Sequence, residues 1–294
     1  MKLGVNSFLW TGNFGPDQFS ILPRVKEWGF DAFEIPIFDP SKIDLRAIRR
    51  ELDANGLACT ICAILPPRLS PIDADAAVRS KTLEHLARCV EFTAEMGANL
   101  LSGPVYAPVG FLPGRRRTRD EWNWAVECFR NLAPVLAANG VTLALEPLNR
   151  FETFFLNTLA DAAALCDEVN HPHIGVLVDT FHTNIEEKNV AESCRLLGTR
   201  LKHIHACEND RGVPGTGHVD FPGIVNALRG IGYDGYLTIE SFGFNLPEMS
   251  ASAAIWRDWA SKPEYIATEG IAYLRKLIQE SPYSGSPIGA EGSH

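Results

Sequence analysis

The amino-acid sequence predicts an α/β protein, a single (β/α)8 barrel, and three observations carry the prediction. Short aliphatic or β-branched segments alternate with longer amphipathic ones from the first residues to about residue 280, the pattern of a parallel sheet with helical crossovers. Eight such pairs can be counted, the number that closes a parallel sheet into a barrel. Neither a linker nor an internal repeat divides the 294 residues, and barrels of about 250 residues around one core are ordinary. One domain over 1–280 is therefore expected.

Taken in order, the expected strands are 3–8, 32–35, 57–64, 99–102, 141–145, 174–178, 201–205 and 237–239. Each is short and rich in Leu, Ile, Val or Ala, as a strand buried on both faces must be. Helix-period stretches fall between and after them at 17–28, 44–55, 73–96, 119–139, 158–169, 187–197, 222–230 and 264–279. Gly29, Gly56, Gly97, Gly140 and Gly230 stand at the ends of amphipathic runs, where a left-handed C-cap is least costly. The connection 241–263, with Trp256 and Trp259, is longer than usual and is expected to hold a short extra helix over the barrel mouth. The tail 281–294, rich in Gly, Ser and Pro, is expected to be disordered.

Composition removes several classes of function. The chain is 46% hydrophobic and 21% charged, ordinary for a globular protein, and no apolar run approaches the roughly 18 residues of a membrane span. The first ten residues carry one Lys and no small-residue cleavage site, so they read as a strand and not as a signal peptide. Seven cysteines, an odd number scattered through apolar segments, point to reduced thiols and a cytoplasmic location. A formal net charge of −9 disfavours nucleic-acid and anionic-membrane partners.

In this architecture the chemistry sits where strands end at the C-terminal face. Four consecutive strand ends are ionisable: Glu146 after the fifth strand, Asp179 after the sixth, His205 after the seventh and Glu240 after the eighth. Each interval is about one β-α unit, so the four groups form a ring at one level. Three converging carboxylates repel one another unless a cation lies between them or some take up protons. An oxygen-rich set with one imidazole suits Mn²⁺, or Mg²⁺ or Co²⁺, better than structural zinc. Any one of these residues could be a polar strand end; the register of all four favours a metal site. Glu152, His182 and Arg211 follow closely behind and can donate to or accept from sugar hydroxyls.

Three segments, EPLNRFE at 146–152, DTFHTNIEE at 179–187 and HIHACENDRGVPGTG at 203–217, resemble the ketose 3-epimerase family, which includes D-tagatose and D-psicose (allulose) 3-epimerases. The resemblance runs from the first strand, ending near Trp10, to the Trp-Arg-Asp-Trp segment at 256–259. It implies that Glu146, Asp179, His205 and Glu240 are metal ligands, that Glu146 and Glu240 are the acid-base pair, and that Glu152, His182 and Arg211 hold the first carbons of the sugar. The expected reaction is C3 epimerisation of a free ketose through a cis-enediolate, with O2 and O3 on the metal. His182 and Arg211 are expected to hold O1 and O2, Glu152 to buttress His182, and Trp10 to cover an apolar sugar face. A homodimer or homotetramer is expected. D-fructose/D-allulose, D-tagatose/D-sorbose and L-ribulose/L-xylulose all stay open as substrates.

Other signals weigh less. Gly230, Gly232 and Gly235 spell GxGxxG but precede a strand, so the dinucleotide reading fails its context. Cys59 and Cys62 have an odd offset along a strand and face opposite ways. His171 and His173 precede the sixth strand, at the barrel bottom, and read as structural. His203 shares a face with His205 and lines the interior below the ring, while Lys202 faces away, against a Schiff-base aldolase. The run Arg115, Arg116, Arg117 and Arg119 could grip a phosphate, although a solvated or subunit-contacting loop is the plainer reading. Rival functions are an aldose-ketose isomerase, an inosose dehydratase, and a sugar-binding barrel without catalysis. A DNA-repair endonuclease needs more histidines than the eight present and a basic face.

Overall fold

The computed structural model describes residues 1–244, 246, 247, 251 and 253–280. Eight parallel strands close a barrel in sequence order: β1 Lys2–Asn6, β2 Ala32–Ile37, β3 Ala58–Ala63, β4 Leu100–Gly103, β5 Thr142–Leu145, β6 Ile174–Asp179, β7 Leu201–His205 and β8 Tyr236–Ile239, with β8 paired back onto β1. The helices around it are α1 Ile21–Glu27, α2 Leu45–Ala54, α3 Ala76–Glu95, α4 Arg119–Asn139, α5 Leu159–Val169, α6 Thr180–Glu186, α7 Val190–Leu197, α8 Phe221–Gly230 and α9 Pro263–Gln279. This is the expected (β/α)8 architecture. Among the described residues no helix is long and apolar enough to cross a membrane.

The sequence sets the helix starts through side-chain caps. Asp44, Asp75 and Thr158 accept the first free amides of α2, α3 and α5, and Thr118 with Glu121 forms a capping box at α4. At the ends, Gly29, Gly56, Gly97 and Gly140 have the expected positive φ. Gly230 does not: it is still helical, and the turn is made at Gly232, φ 70°. Two further departures lie near the mouth. β1 stops at Asn6, because the Asn6 side chain accepts from Phe8 N and turns residues 7–9 into a 3-10 helix. The stretch expected as one helix at 187–197 is preceded by α6, which Asp179 caps. Residues 245, 248–250 and 252 of the connection 241–263, where an extra helix is expected, and the tail 281–294 lie outside the described residues.

Strand alternation sorts the side chains. Outward residues such as Leu3, Val5, Phe33, Ile35 and Ile61 join the helices in the large apolar core. Inward residues stack in layers: Leu100, Ala144 and Leu177 plug the interior as a separate apolar cluster, and buried Asn6, Glu34, Thr60 and His203 form a polar group elsewhere inside the barrel. At the end of β4, Gly103 has φ 124° and a Cβ there would lie 2.2 Å from Ala63 O. Only glycine fits, so that strand ends without a side chain.

Candidate active site at the barrel mouth

Glu146, Asp179, His205 and Glu240 each stand at or one residue past the end of β5 to β8, and the structure brings all four together. Their ligand atoms lie within 4.8 Å of one another, and all four residues are buried. Asp179 divides its oxygens: Oδ1 accepts Phe181 N at 2.7 Å, capping α6, while Oδ2 accepts Arg211 Nη1 at 2.8 Å. His205 Nδ1 faces the carboxylates, 3.3 Å from Glu240 Oε2 and 3.7 Å from Glu146 Oε1, and has no aligned hydrogen-bond partner. A buried imidazole nitrogen without a partner, aimed among three carboxylates, is the donor set a divalent cation requires. The residues present fit such an ion.

The charges in the ring are pushed apart. Burial, reinforced by the nearby Glu240 and Asp179 charges against the pull of His205, raises the Glu146 carboxyl to about 8. Burial acts the same way on Asp179, but Arg211, with His182 and His205, outweighs it and holds that carboxyl below the usual range. Burial opposes charge on His205 as well, yet Glu240 and Glu34 hold its imidazolium well above the usual histidine value. The ring without a cation therefore keeps protons that a cation would displace.

Arg211 comes from the loop after β7. Its φ is 64°, and its guanidinium bridges Asp179 Oδ2 and Glu240 Oε2, the latter at 3.0 Å. It lies over Phe181 at 4.1 Å and beside Phe242 at 5.1 Å, so the planar cation is clamped by aromatic faces. The loop itself is held by buried Glu208, whose carboxylate accepts the backbone amides of Asn209, Gly215 and Val219. Ser241 Oγ donates to Arg211 O.

His182, on α6, is buried between Glu146 and Asp179, with Nε2 3.8 Å and 3.7 Å from their oxygens. Burial keeps the imidazole neutral, ahead of the opposing pull of Asp179. Asn149 N approaches Nδ1 at 3.2 Å and Arg211 Nη2 approaches Nε2 at 3.2 Å. A neutral imidazole accepts at one nitrogen only; the guanidinium and Asn149 can here only donate, and Asn149 brings two N–H groups, its backbone amide and Nδ2, to Nδ1 against the one on Nε2. With the proton on Nε2, that N–H and the Arg211 N–H face each other at 3.2 Å, two donors that an oxygen set beside them would satisfy. Glu152, expected to buttress His182, lies 4.0 Å from it, and Asn149 Nδ2 bridges them, 2.8 Å from Glu152 and 2.9 Å from His182.

Trp10 is not brought to the ring. Its indole stacks on Trp28 and on Phe33, and Phe33 points outward from β2, so Trp10 packs into the layer between barrel and helices. The aromatic rings that flank Arg211 are instead Phe181 and Phe242, with Phe8 packed on Phe242. Arg115 is paired with Glu121, Arg117 with Asp161 and Arg119 with Glu168, so three of the four arginines in that run are engaged within the chain. Lys202 lines a cleft with Arg200 and His171, and His173 Nδ1 meets Val141 O. Sequence reasoning missed Glu34, Asn149 and Glu208. Glu34 had a signal, a charged residue in the middle of the apolar run of β2; the other two lie within the quoted motifs and stand out only by their contacts.

A closed barrel whose mouth gathers carboxylates, imidazoles and an arginine defines the class, and comparison places the chain in it. Residues 22–277 match the xylose isomerase-like TIM barrel family. The chain is 35% identical over 279 residues to a Synechocystis protein named probable ketose 3-epimerase, covering 95% of this chain and 97% of the other. It is 34% identical over 263 residues to an L-ribulose 3-epimerase of Mesorhizobium japonicum, 88% of each chain. Its fold superposes with a TM-score of 0.89 on a Methylomonas D-allulose 3-epimerase crystallised with D-allulose, 30% identical, over 94% of this chain and 97% of that one. The chain belongs to the xylose isomerase-like TIM barrels and, among them, to the ketose 3-epimerases, which are isomerases acting on sugars.

Proposed function

We propose that the protein, with 1–280 as one domain, is a divalent-metal-dependent C3 epimerase of free ketoses, with Mn²⁺ its working ion. The observation that carries the proposal is the convergence of Glu146 and Glu240 on one ring with the unpartnered His205 Nδ1. D-fructose/D-allulose leads the substrates because a relative of closely matching fold was crystallised with D-allulose; L-ribulose and D-tagatose are the next to test. Pairing of Arg115, Arg117 and Arg119 within the chain favours an unphosphorylated sugar.

Glu146, Asp179, His205 and Glu240 would hold the cation, which supplies Lewis acidity to the ketose carbonyl and so acidifies the C3 proton. Glu146 and Glu240 stand as the two carboxylates of the reaction, one taking the C3 proton and the other returning one to the opposite face through a cis-enediolate, with roles exchanged in reverse. The paired donors of His182 Nε2 and Arg211 Nη2 receive the sugar oxygens at C1 and C2. Asn149 transmits the Glu152 carboxylate to His182 and sets its tautomer.

The seven cysteines are free, six of them buried, which supports a reducing, cytoplasmic setting. Exposed Phe111, Leu112 and Phe151 on neighbouring mouth loops support a homo-oligomer, and light scattering coupled to size exclusion measures it. The experiment on function is incubation of Mn²⁺-loaded protein with the ketose panel in D₂O, followed by NMR. Deuterium at C3 with formation of the C3 epimer is expected. Exchange at C1 or C2 with aldose formed would move the assignment to an isomerase, and no exchange would favour a dehydratase or a sugar-binding barrel.

A further inference from the structure

Outside the ring the barrel interior buries one more carboxylate, Glu34, on the inward face of β2. Both of its oxygens are saturated. Oε1 accepts from Asn6 Nδ2 at 2.9 Å and His205 Nε2 at 2.8 Å; Oε2 accepts from Thr60 Oγ1 at 2.9 Å and His203 Nε2 at 2.8 Å. Four donors fill the capacity of an ionised carboxylate, so Glu34 has no proton to give and each imidazole must present N–H at Nε2. For His205 the nitrogen left to bind a cation is Nδ1, the one that faces Glu146 and Glu240 without a partner.

Glu34, His203 and His205 lie close enough to suggest a metal site of their own. The contacts argue otherwise: every approach is an N–H or O–H donor meeting an oxygen, and the cluster is satisfied as it stands. His203, ring to ring with His205 at 5.1 Å, serves as the second strut that keeps the Glu34 carboxylate in one orientation.

We infer that Glu34 is a positioning residue of the metal centre, which from the opposite side of the barrel fixes the tautomer and ring angle of His205 and, by its buried charge, strengthens that ligand. The inference rests on reading the ring as a metal site. Glu34→Gln separates charge from shape. The amide oxygen can keep Asn6 and His205, while the amide NH₂ faces Thr60, whose hydroxyl can accept, and His203, whose unpartnered Nδ1 can take the proton.

The test is the Mn²⁺ affinity of metal-stripped protein by titration calorimetry, with long-range ¹H–¹⁵N NMR of the histidines in the metal-free wild type. Glu34→Gln is expected to weaken Mn²⁺ binding roughly 10–100-fold while the melting temperature of the metal-free protein stays near that of wild type. Metal-free wild type is expected to show His205 protonated at Nε2, alone or, where the ring carboxylates keep the imidazolium, together with Nδ1. If wild type binds Mn²⁺ and Glu34→Gln binds it equally well, the inference fails and the metal reading stands. If wild type binds no divalent ion, both fall. Should Glu34→Gln not fold, the wild-type spectrum decides alone, since His205 bearing its proton only at Nδ1 overturns the proposal.

Discussion

The two halves of the barrel are built alike and used differently. β5 to β8 end in Glu146, Asp179, His205 and Glu240, and the loops beyond them add Asn149, Glu152, His182 and Arg211. From β1 to β4 the ring receives no carboxylate or imidazole, though Cys62 of β3 brings its Sγ within 4.8 Å of ligand atoms of His205 and Glu240; β4 ends in Gly103, and Asn6, Glu34 and Thr60 meet one another and His203 and His205 inside the barrel. The contrast teaches that one half of a symmetrical scaffold can carry the reactive groups while the other determines how they are held. A residue of the first half fails in chemistry; a residue of the second fails in affinity or stability.

Substitutions can break or sharpen that contrast. The largest effect is expected for Glu146→Gln and Glu240→Gln, each lowering kcat by about 10²–10⁴-fold or more, the worth of a general acid or base. Ketose conversion followed by NMR measures it, and near-wild-type turnover in either variant would end the acid-base assignment. Next comes Arg211→Lys, which keeps the charge but loses the planar fork between Phe181 and Phe242. A fall of roughly 30–100-fold in kcat/KM is expected, since a buried charged hydrogen bond contributes about 2–3 kcal/mol; an unchanged value would remove Arg211 from the sugar site.

Metal removal should show its own pH signature. Folded Glu146 and His205 have raised pKa values, so the chelated protein binds more protons than the unfolded chain. Stability contributed in this way is present at low pH and lost as pH rises toward the folded pKa values. His182 and His203 are shifted down and act oppositely, but only near and below the unfolded histidine value of about 6.5. From about pH 7 to about pH 9 the melting temperature of chelated protein should therefore fall more steeply than that of the Mn²⁺-loaded protein, whose remaining slope comes from thiols that burial keeps protonated in the fold. Calorimetric scans with and without chelator check it, and equal slopes would contradict the assignment. The smallest effect is expected in the supporting half. Ile35→Val on the outward face of β2 should cost about 0.5–1.5 kcal/mol in urea unfolding and leave kcat unchanged. A loss of activity there would blur the distinction between the halves.

The same contrast explains what could be read from the sequence. In β5, β6 and β8 an aliphatic run breaks at a single ionisable residue, which makes Glu146, Asp179 and Glu240 legible from pattern alone; β7 reads LKHIH, and His205 is picked out there as the last of three ionisable residues, at the strand end. Glu34 interrupts a strand as visibly, but its meaning depends on facing His203 and His205 across a closed barrel, which no local pattern encodes. α6 escaped notice because seven residues are too few for a 3.6-residue period, and its start depends on Asp179, a residue already marked for the ring. The surroundings of Trp10 are hidden for a similar reason: the sequence puts it at the mouth of β1, and the turn initiated by Asn6 sets its stacking on Phe33 and Trp28.

The bond from Glu34 to His205 joins residues that are 171 positions apart. Contacts of such separation form late, because the chain must first close the large loop between them. A folding intermediate consisting of the C-terminal strands alone would hold all four groups of the ring, yet leave the His205 ring free to turn. High-affinity ligation would then arrive only with barrel closure, making metal uptake a reporter of the last step in folding.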